Sequence, residues 1–287
     1  MYNQPIEGPR SPRSETTAPG VNDLPSKLPI GPVSLHPVTM NDAVEWALAA
    51  LEVNRVQYTF TANVDHLVQL GSNPELKDSY ARADLAVADG QALFWLGRLL
   101  GQKLPQKIAG VDLFHAICSQ SSQQSIRLFM LGGRDSRSID AGRTLTRMYP
   151  SLRIVGRYTG IVPVDASSGD ITALIAASKA NLIAVFLGCP AQELWISRNA
   201  ASLPPGLYLG LGGTVDMLSG AVRRASRRLR VLGLEWLFRL AQEPGRLWRR
   251  YLVRDLKFLP LAMKLIWLRL RQAGEKNQLI RRFTRRS

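Results

Sequence analysis

Between Val33 and Gly220, short runs of apolar, largely β-branched residues alternate with longer amphipathic stretches, and few folds accept that alternation. The runs fall at 57–62, 84–88, 126–131, 153–157, 182–187 and 206–211, and most are apolar at successive positions rather than at every second one. Strands buried on both faces read that way. The stretches at 40–53, 64–83, 91–101, 111–124, 135–148, 168–179 and 191–203 carry helical periodicity. The first opens on Thr39 with Asp42 three residues on, a capping-box-like start. This order predicts an α/β fold with a mostly parallel, doubly wound sheet.

A chain of 287 residues, 46% hydrophobic, can bury a sizeable core. Its two cysteines, Cys118 and Cys189, exclude a disulfide scaffold and point to a reducing, cytoplasmic-type compartment. Charge separates the chain into parts. From Arg223 to Ser287 there are 19 Lys and Arg against 4 Asp and Glu, whereas the remaining 222 residues carry 18 of each. A neutral body with a basic tail is expected to meet an anionic surface through that tail. Residues 1–37 hold 8 of the 17 prolines and no apolar h-region, so the start of the chain reads as a flexible leader rather than a signal peptide. The expected organisation is a leader over 1–32, a core over 33–222 and a basic helical appendage over 223–287.

No run is long enough to span a bilayer. The nearest, Leu256–Leu268, is broken by Lys257, Pro260 and Lys264 and flanked by Arg249, Arg250, Arg254, Arg269 and Arg271, with Trp248, Tyr251 and Trp267 near its ends. It reads as a segment lying on the headgroup boundary of an anionic membrane. The plainer reading is a helix packed on the core with a solvated basic rim.

Ligands of open α/β sheets sit beyond the carboxyl ends of the strands. The residues leaving the strands are Thr61 and Asn63, then Asp89, then Gly132 and Gly133, then Gly160, then Gly188 to Gln192, and last Gly213 and Asp216. Glycines that let backbone N–H groups approach phosphate, beside amides and hydroxyls, compose a nucleotide or sugar site. Asp89, in VADGQALFW, sits where a strand turns into a helix and is either a general base with a raised pKa or the cap of the following helix. Neither glycine loop completes a dinucleotide or P-loop fingerprint. No histidine pair has metal-ligand spacing and no Asp-x-Asp occurs, so neither metal nor cofactor is expected. A leaving diphosphate would then need arginines. Arg239, Arg246 and Arg249, spaced by 7 and 3, share a helical face if the helix continues through Pro244, where a kink or restart is expected.

The segments TANVDHL (61–67), ADG (88–90), KIAGVDL (107–113), LFMLGG (128–133), GCPAQE (188–193), GLGGTVDMLSG (210–220) and GLEWLFRLAQEPGRLWRRY (233–251) follow one another in order. Together they resemble the WecG/TagA/CpsF family of bacterial glycosyltransferases, glycosyltransferase family 26, over roughly Val33 to Tyr251. The resemblance implies a Rossmann-like fold. It also implies an inverting transferase that moves a sugar from a UDP-sugar donor to a polyprenyl-diphosphate-linked saccharide acceptor, working peripherally at the inner face of the cytoplasmic membrane. N-acetylmannosamine, its uronic acid and glucose are the donor sugars it suggests, and surface polysaccharide the product. By that resemblance Asp89 is the catalytic base, and Thr61, Asn63 and Gln192 lie near the sugars. Asp216 is on the nucleotide side, and Arg239, Arg246 and Arg249 donate to the diphosphate. Three positions depart from the family pattern: Lys107 stands where Arg is usual, Ala191 where Lys is, and Ser226 where Pro is. Two other readings are a nucleic-acid binder, against which the tail lacks any zinc-finger, homeodomain or RNP-like signature, and a non-catalytic UDP-binding scaffold. A homo-oligomer is left open.

Overall fold

Six of the apolar runs pair side by side in one all-parallel sheet. The computed structural model describes residues 23–164 and 169–284; the first 22 residues of the expected leader and the last three of the appendage lie outside the described residues. A short hairpin of β1 (Leu28–Ile30) and β2 (Val33–Leu35) precedes α1 (Met40–Ala50) and β3 (Val56–Ala62). The first edge follows with α2 (Val64–Leu70), α3 (Pro74–Arg82), β4 (Leu85–Ala88) and α4 (Gln91–Leu99). The other side is built by α5 (Gly110–Ser119), β5 (Arg127–Gly132), α6 (Asp135–Met148), β6 (Arg153–Tyr158) and α7 (Gly169–Ser178). β7 (Leu182–Phe186), α8 (Ala191–Asn199), β8 (Gly206–Gly210) and α9 (Thr214–Leu218) return the chain to the middle. The strand order is β4-β3-β8-β7-β5-β6.

Side-chain alternation explains the near-continuous hydrophobicity of the runs. Phe129 and Leu131 of β5, Ile183 and Val185 of β7 and Tyr208 of β8 enter the core on one face. Leu128, Met130, Leu182, Ala184, Leu207 and Leu209 enter a second core on the other. Helices cover both faces, as a parallel sheet requires. Thr39 caps α1 through the reciprocal box with Asp42. Two stretches read as single helices are divided. Asn73 caps a new helix with Pro74 at its first position, splitting 64–83, and 111–124 ends at Ser119 in a 3₁₀ turn. The hairpin begins inside the stretch read as leader: Ile30 is fully buried, against the same core as Leu93 and Leu96 of α4.

The appendage consists of α10 (Arg227–Val231), α11 (Glu235–Gln242), α12 (Pro244–Arg249), a π-helical turn (Arg250–Arg254), a 3₁₀ turn (Asp255–Lys257) and α13 (Phe258–Thr284). Pro244 restarts the helix after Glu243, whose backbone is not helical (φ −132°, ψ 56°). Apolar and ionic contacts hold the appendage on the body. Phe258, Leu261, Ala262, Leu265 and Ile266, at helical spacing, pack against the core. Carboxylates of the body receive its arginines. Asp65 of α2, 1% exposed, pairs with Arg250 at 3.2 Å and Arg254 at 2.6 Å. Asp112 of α5 accepts both terminal nitrogens of Arg224 at 2.5 and 2.6 Å, with Arg230 at 3.7 Å. Asp216 of α9 pairs with Arg246 at 3.4 Å. Lys107 Nζ donates to the Arg230 carbonyl at 2.8 Å, closing the end of α10.

Removing a carboxylate that neutralises two half-buried guanidinium groups is strongly unfavourable. Asp65→Ala is therefore expected to lower unfolding free energy by about 2–4 kcal/mol in denaturant titration. Asp112→Ala, at a more exposed carboxylate, should lose less. Equal losses at both positions would contradict this ranking.

Candidate active site

The carboxyl ends of the strands open toward the appendage. Asp89 follows β4 directly, and its N–H donates to the Ala62 carbonyl at 2.7 Å, locking it to the end of β3. The next residue, Gly90, turns the chain at φ +93°, a conformation that disfavours any side chain. Gly90 is also the N-cap of α4, and that cap has no side-chain hydrogen bond. Asp89 therefore does not cap the helix, and of its two readings the cap is excluded by geometry. Only a small part of it meets solvent. Burial pushes its carboxyl up to about 6, and the negative charge of Glu235 adds to the rise. A backbone hydrogen bond from Gly110 and the neighbouring His66 work in the opposite direction. The appendage thus reaches the reacting end of β4, because Glu235 opens α11.

Asn63 begins α2 and caps it: its Oδ1 accepts from the His66 N–H at 3.3 Å. Its Cβ lies 3.9 Å from where a Cβ on Gly90 would sit, which puts it beside the Asp89 turn. Thr61 is buried one step earlier, its Oγ1 3.0 Å from the equivalent point on Gly110. Gln192 is also buried, with both ends of its amide occupied. Its Oε1 accepts from the Gly212 N–H at 2.7 Å, and its Nε2 donates to Glu193 Oε1 at 2.7 Å. Its place in the structure is to hold the glycine loop after β8.

The second half of the rim gathers around that loop. Arg239 lies over Gly213, its Nη2 3.0 Å from where a Cβ would stand, and its buried Nε has no hydrogen-bond partner. Asp216 pairs with Arg137 at 2.5 Å as well as with Arg246. Gly132 and Gly133 take φ of +91° and +81° at the end of β5, with Val215 of α9 packed against Gly133. Of the three appendage arginines, Arg239 and Arg246 both reach the corner formed by Gly213 and Asp216, and Arg249 does not. Arg246 is bound to Asp216 and Glu243, while Arg249 is exposed and stacks on Trp248 at 5.3 Å. Gly160 follows the edge strand β6, five strands from Asp89, so it lies roughly 24 Å across the sheet at ordinary strand spacing. Lys107 faces the appendage backbone.

The structure thus brings together Thr61, Asn63 and Asp89 at one end of a rim and Gly213, Asp216 and Arg239 at the other, under a lid of arginines. The sequence profile of the glycosyl transferase WecG/TagA/CpsF family matches residues 28–273. The chain belongs to that family. It is also 32% identical, over 202 residues, to an N-acetylglucosaminyldiphosphoundecaprenol N-acetyl-beta-D-mannosaminyltransferase of Bacillus spizizenii. That match covers 70% of this chain and 77% of the relative. The family match extends into α13, beyond the Tyr251 limit of the motif resemblance.

Reading the sequence of this WecG/TagA/CpsF member overlooked Asp65, Asp112 and Glu235, although all three lie inside the quoted motifs. The signal was electrostatic: a tail so rich in arginine, placed beside a neutral body, needs carboxylates to meet it.

A carboxyl whose folded pKa is about 6, against an ordinary 3.8, is held in the fold more easily protonated than ionised. Its stabilising contribution is complete at low pH and is lost as pH rises through 6. Asp89→Asn is accordingly expected to raise Tm at pH 8 by about 4 °C, corresponding to about 2 kcal/mol. Near pH 4 it should leave Tm almost unchanged. A lower Tm at pH 8 in calorimetry would contradict the environment described for Asp89.

Proposed function

We propose that this protein is an inverting transferase. It moves a sugar from a UDP-sugar to a polyprenyl-diphosphate-linked saccharide in the assembly of a bacterial surface polysaccharide. The observation that carries the reading is Asp89: a carboxyl with its pKa raised toward neutrality, not used as a helix cap, at the mouth of a parallel sheet. The name of the Bacillus spizizenii relative favours N-acetylmannosamine as the sugar and a polyprenyl-diphosphate-linked N-acetylglucosamine as the acceptor. The uronic acid of N-acetylmannosamine and glucose are the other donors to assay.

In the proposed reaction the acceptor hydroxyl oxygen attacks the anomeric carbon as the bond to the donor diphosphate breaks on the opposite face. Asp89 takes the hydroxyl proton, and UDP departs with the bonding electrons. Because burial raises the Asp89 pKa, it is a stronger base than an exposed carboxylate and still ionised at neutral pH. Arg239, lying over Gly213 with its buried Nε unpartnered, is placed to accept the charge that develops on the diphosphate. Arg137 and Arg246 keep Asp216 paired, so the phosphate end of the rim is not anionic. Among the appendage arginines, Arg239 is the residue assigned to the diphosphate.

The lipid part of such an acceptor sits in a bilayer, and the appendage offers a surface for it. No helix among the described residues is long and apolar enough to cross a membrane. Yet α13 is apolar on two sides. Opposite the face that packs on the core, Leu259, Met263, Trp267 and Leu270 are each more than half exposed, next to Leu252, Val253 and Leu256. Lys257, Lys264 and Arg271 are interspersed with them. An exposed apolar surface of this extent with basic neighbours suits peripheral docking on anionic lipid, at the cytoplasmic face where UDP-sugars are made.

With a short-chain polyprenyl-diphosphate N-acetylglucosamine acceptor, UDP release is expected from one donor of the panel. Asp89→Asn should slow it by ~100- to 10,000-fold. The wild-type kcat/KM should fall on the acid side with a midpoint near pH 6, since only ionised Asp89 accepts the proton. A near-normal rate in the variant would remove Asp89 from this role. The double variant Leu259→Glu, Met263→Glu should stop flotation with phosphatidylglycerol-containing vesicles, leaving Tm and turnover of a water-soluble acceptor unchanged. Undiminished flotation would place the docking surface elsewhere.

A further inference from the structure

Behind the rim, three donor side chains of different chemistry converge on one point. His66 of α2, Cys189 of the loop after β7 and Glu193 in the first turn of α8 place a ring nitrogen, a sulfur and a carboxylate oxygen within 4.8 Å of one another. His66 is 5% exposed and Glu193 fully buried. No fourth His, Cys, Asp or Glu joins them among the described residues. The donors come from segments up to 127 residues apart, which no local spacing reveals.

Each donor is held by a neighbouring group that leaves its ligating atom aimed inward. Asn63 holds the His66 ring at Nδ1, with its Oδ1 at 2.8 Å and its backbone N–H at 3.4 Å, and leaves Nε2 aimed inward. Gln192 Nε2 donates to Glu193 Oε1 at 2.7 Å, and Gln69 Nε2 donates to Cys189 Sγ at 3.3 Å. Supports of this kind accompany metal ligands generally. The positive charges that reach the cluster, on Arg250 and Arg254, are paired with Asp65. His66 Nε2 faces Glu193 Oε1 at 3.2 Å, a contact that a ring proton or a shared cation bridges. Glu193 Oε2 is buried with no hydrogen-bond partner. The thiol of Cys189 is pushed up by burial and by the charges of Glu193 and Asp65, against the opposing pull of Arg250 and Arg254.

A protonated His66 would satisfy only the imidazole–carboxylate contact. It gives neither the free Glu193 oxygen nor the sulfur a role. We propose that His66, Cys189 and Glu193 bind a divalent cation of the zinc class, borderline in softness and matched to one nitrogen, one sulfur and one oxygen donor. On binding, the thiol releases its proton to solvent and coordinates as thiolate. The ion would be structural. It ties α2 to α8, and through Asn63 and Gln192 it fixes two residues of the rim, while Asp89 lies outside the donor set. The inference does not depend on which sugar is transferred, since it is read from metal content.

The test uses the untagged, full-length chain. After gel filtration in EDTA, elemental analysis should find about one zinc-class ion per chain, as expected of a buried site. Loading with Co²⁺ should produce a thiolate-to-cobalt charge-transfer absorption in the near ultraviolet. Cys189→Ser, close in size, should abolish that absorption, and His66→Asn should abolish metal retention. Far-ultraviolet circular dichroism verifies that each variant is folded. Folded wild-type protein that holds far less than one equivalent and gives no charge-transfer absorption with Co²⁺ would overturn the proposal. So would metal that persists in both variants, since it would lie elsewhere.

Discussion

Carboxylates fixed on the sheet body hold an arginine-rich appendage in place, and the rest of the architecture depends on that pairing. Asp65 and Asp112 lie in the helices that follow β3 and precede β5, and Asp216 in the helix after β8. Each therefore sits near the carboxyl edge of the sheet, where the fold leaves its ligand crevice. Taking Arg224, Arg230, Arg246, Arg250 and Arg254 onto these acids neutralises part of the tail's excess charge within the molecule. It also positions two groups that matter to the rim. Glu235 comes within range of Asp89, and Arg239 comes to rest on Gly213. Burial strengthens such pairs only where geometry is good, and the two-pronged contact of Arg224 on Asp112 has that quality. Burial works against the Asp112 carboxylate, but Arg224 and Arg230 more than offset it and hold its pKa below the ordinary value.

Asp89 has the opposite environment. Unlike Asp65, Asp112 and Asp216, it has no arginine on it, and burial and Glu235 act together to raise its pKa. Paired acids and an unpaired one thus lie within a single crevice. That division is what separates residues that build the fold from a residue available to accept a proton. The pairing explains why a strongly basic segment beside the site does not simply suppress the basicity of Asp89: the arginines closest to body carboxylates are already committed.

The fold was largely legible in the sequence. All six strands of the parallel sheet lie where the apolar runs are, because strands buried on both faces carry a strong local signal, whereas the short hairpin of β1 and β2 was not read. Helix α6 begins at Asp135 and ends at Met148 as the periodicity indicates. The break at Asn73-Pro74 was missed because apolar spacing continues across it, although Asn before Pro is itself a start signal. The site was legible in part. Asp89, Asn63 and Gly213 were visible as residues leaving strands. Gln192 was visible too, but not that both ends of its amide are used within the protein. The expected restart at Pro244 is present, yet Arg239 and Arg246 still reach the same corner beside Asp216, which spacing alone does not show. Partners such as Asp65 with Arg254, or His66 with Glu193, are set by how distant segments pack, and no spacing rule reaches across that distance.

The division of labour between body and appendage also bears on how the protein is made. Translation delivers every strand before the first arginine of the appendage, so the sheet can close while Asp65 and Asp112 still lack their cations and the core face covered by α13 is bare. During that interval the nascent chain carries unpartnered acids and an open apolar groove. It has neither Glu235 beside Asp89 nor Arg239 over the glycine loop. Completion of the rim is therefore tied to synthesis of the appendage, and a ribosome stalled between β8 and α11 would release a sheet with an unfinished crevice.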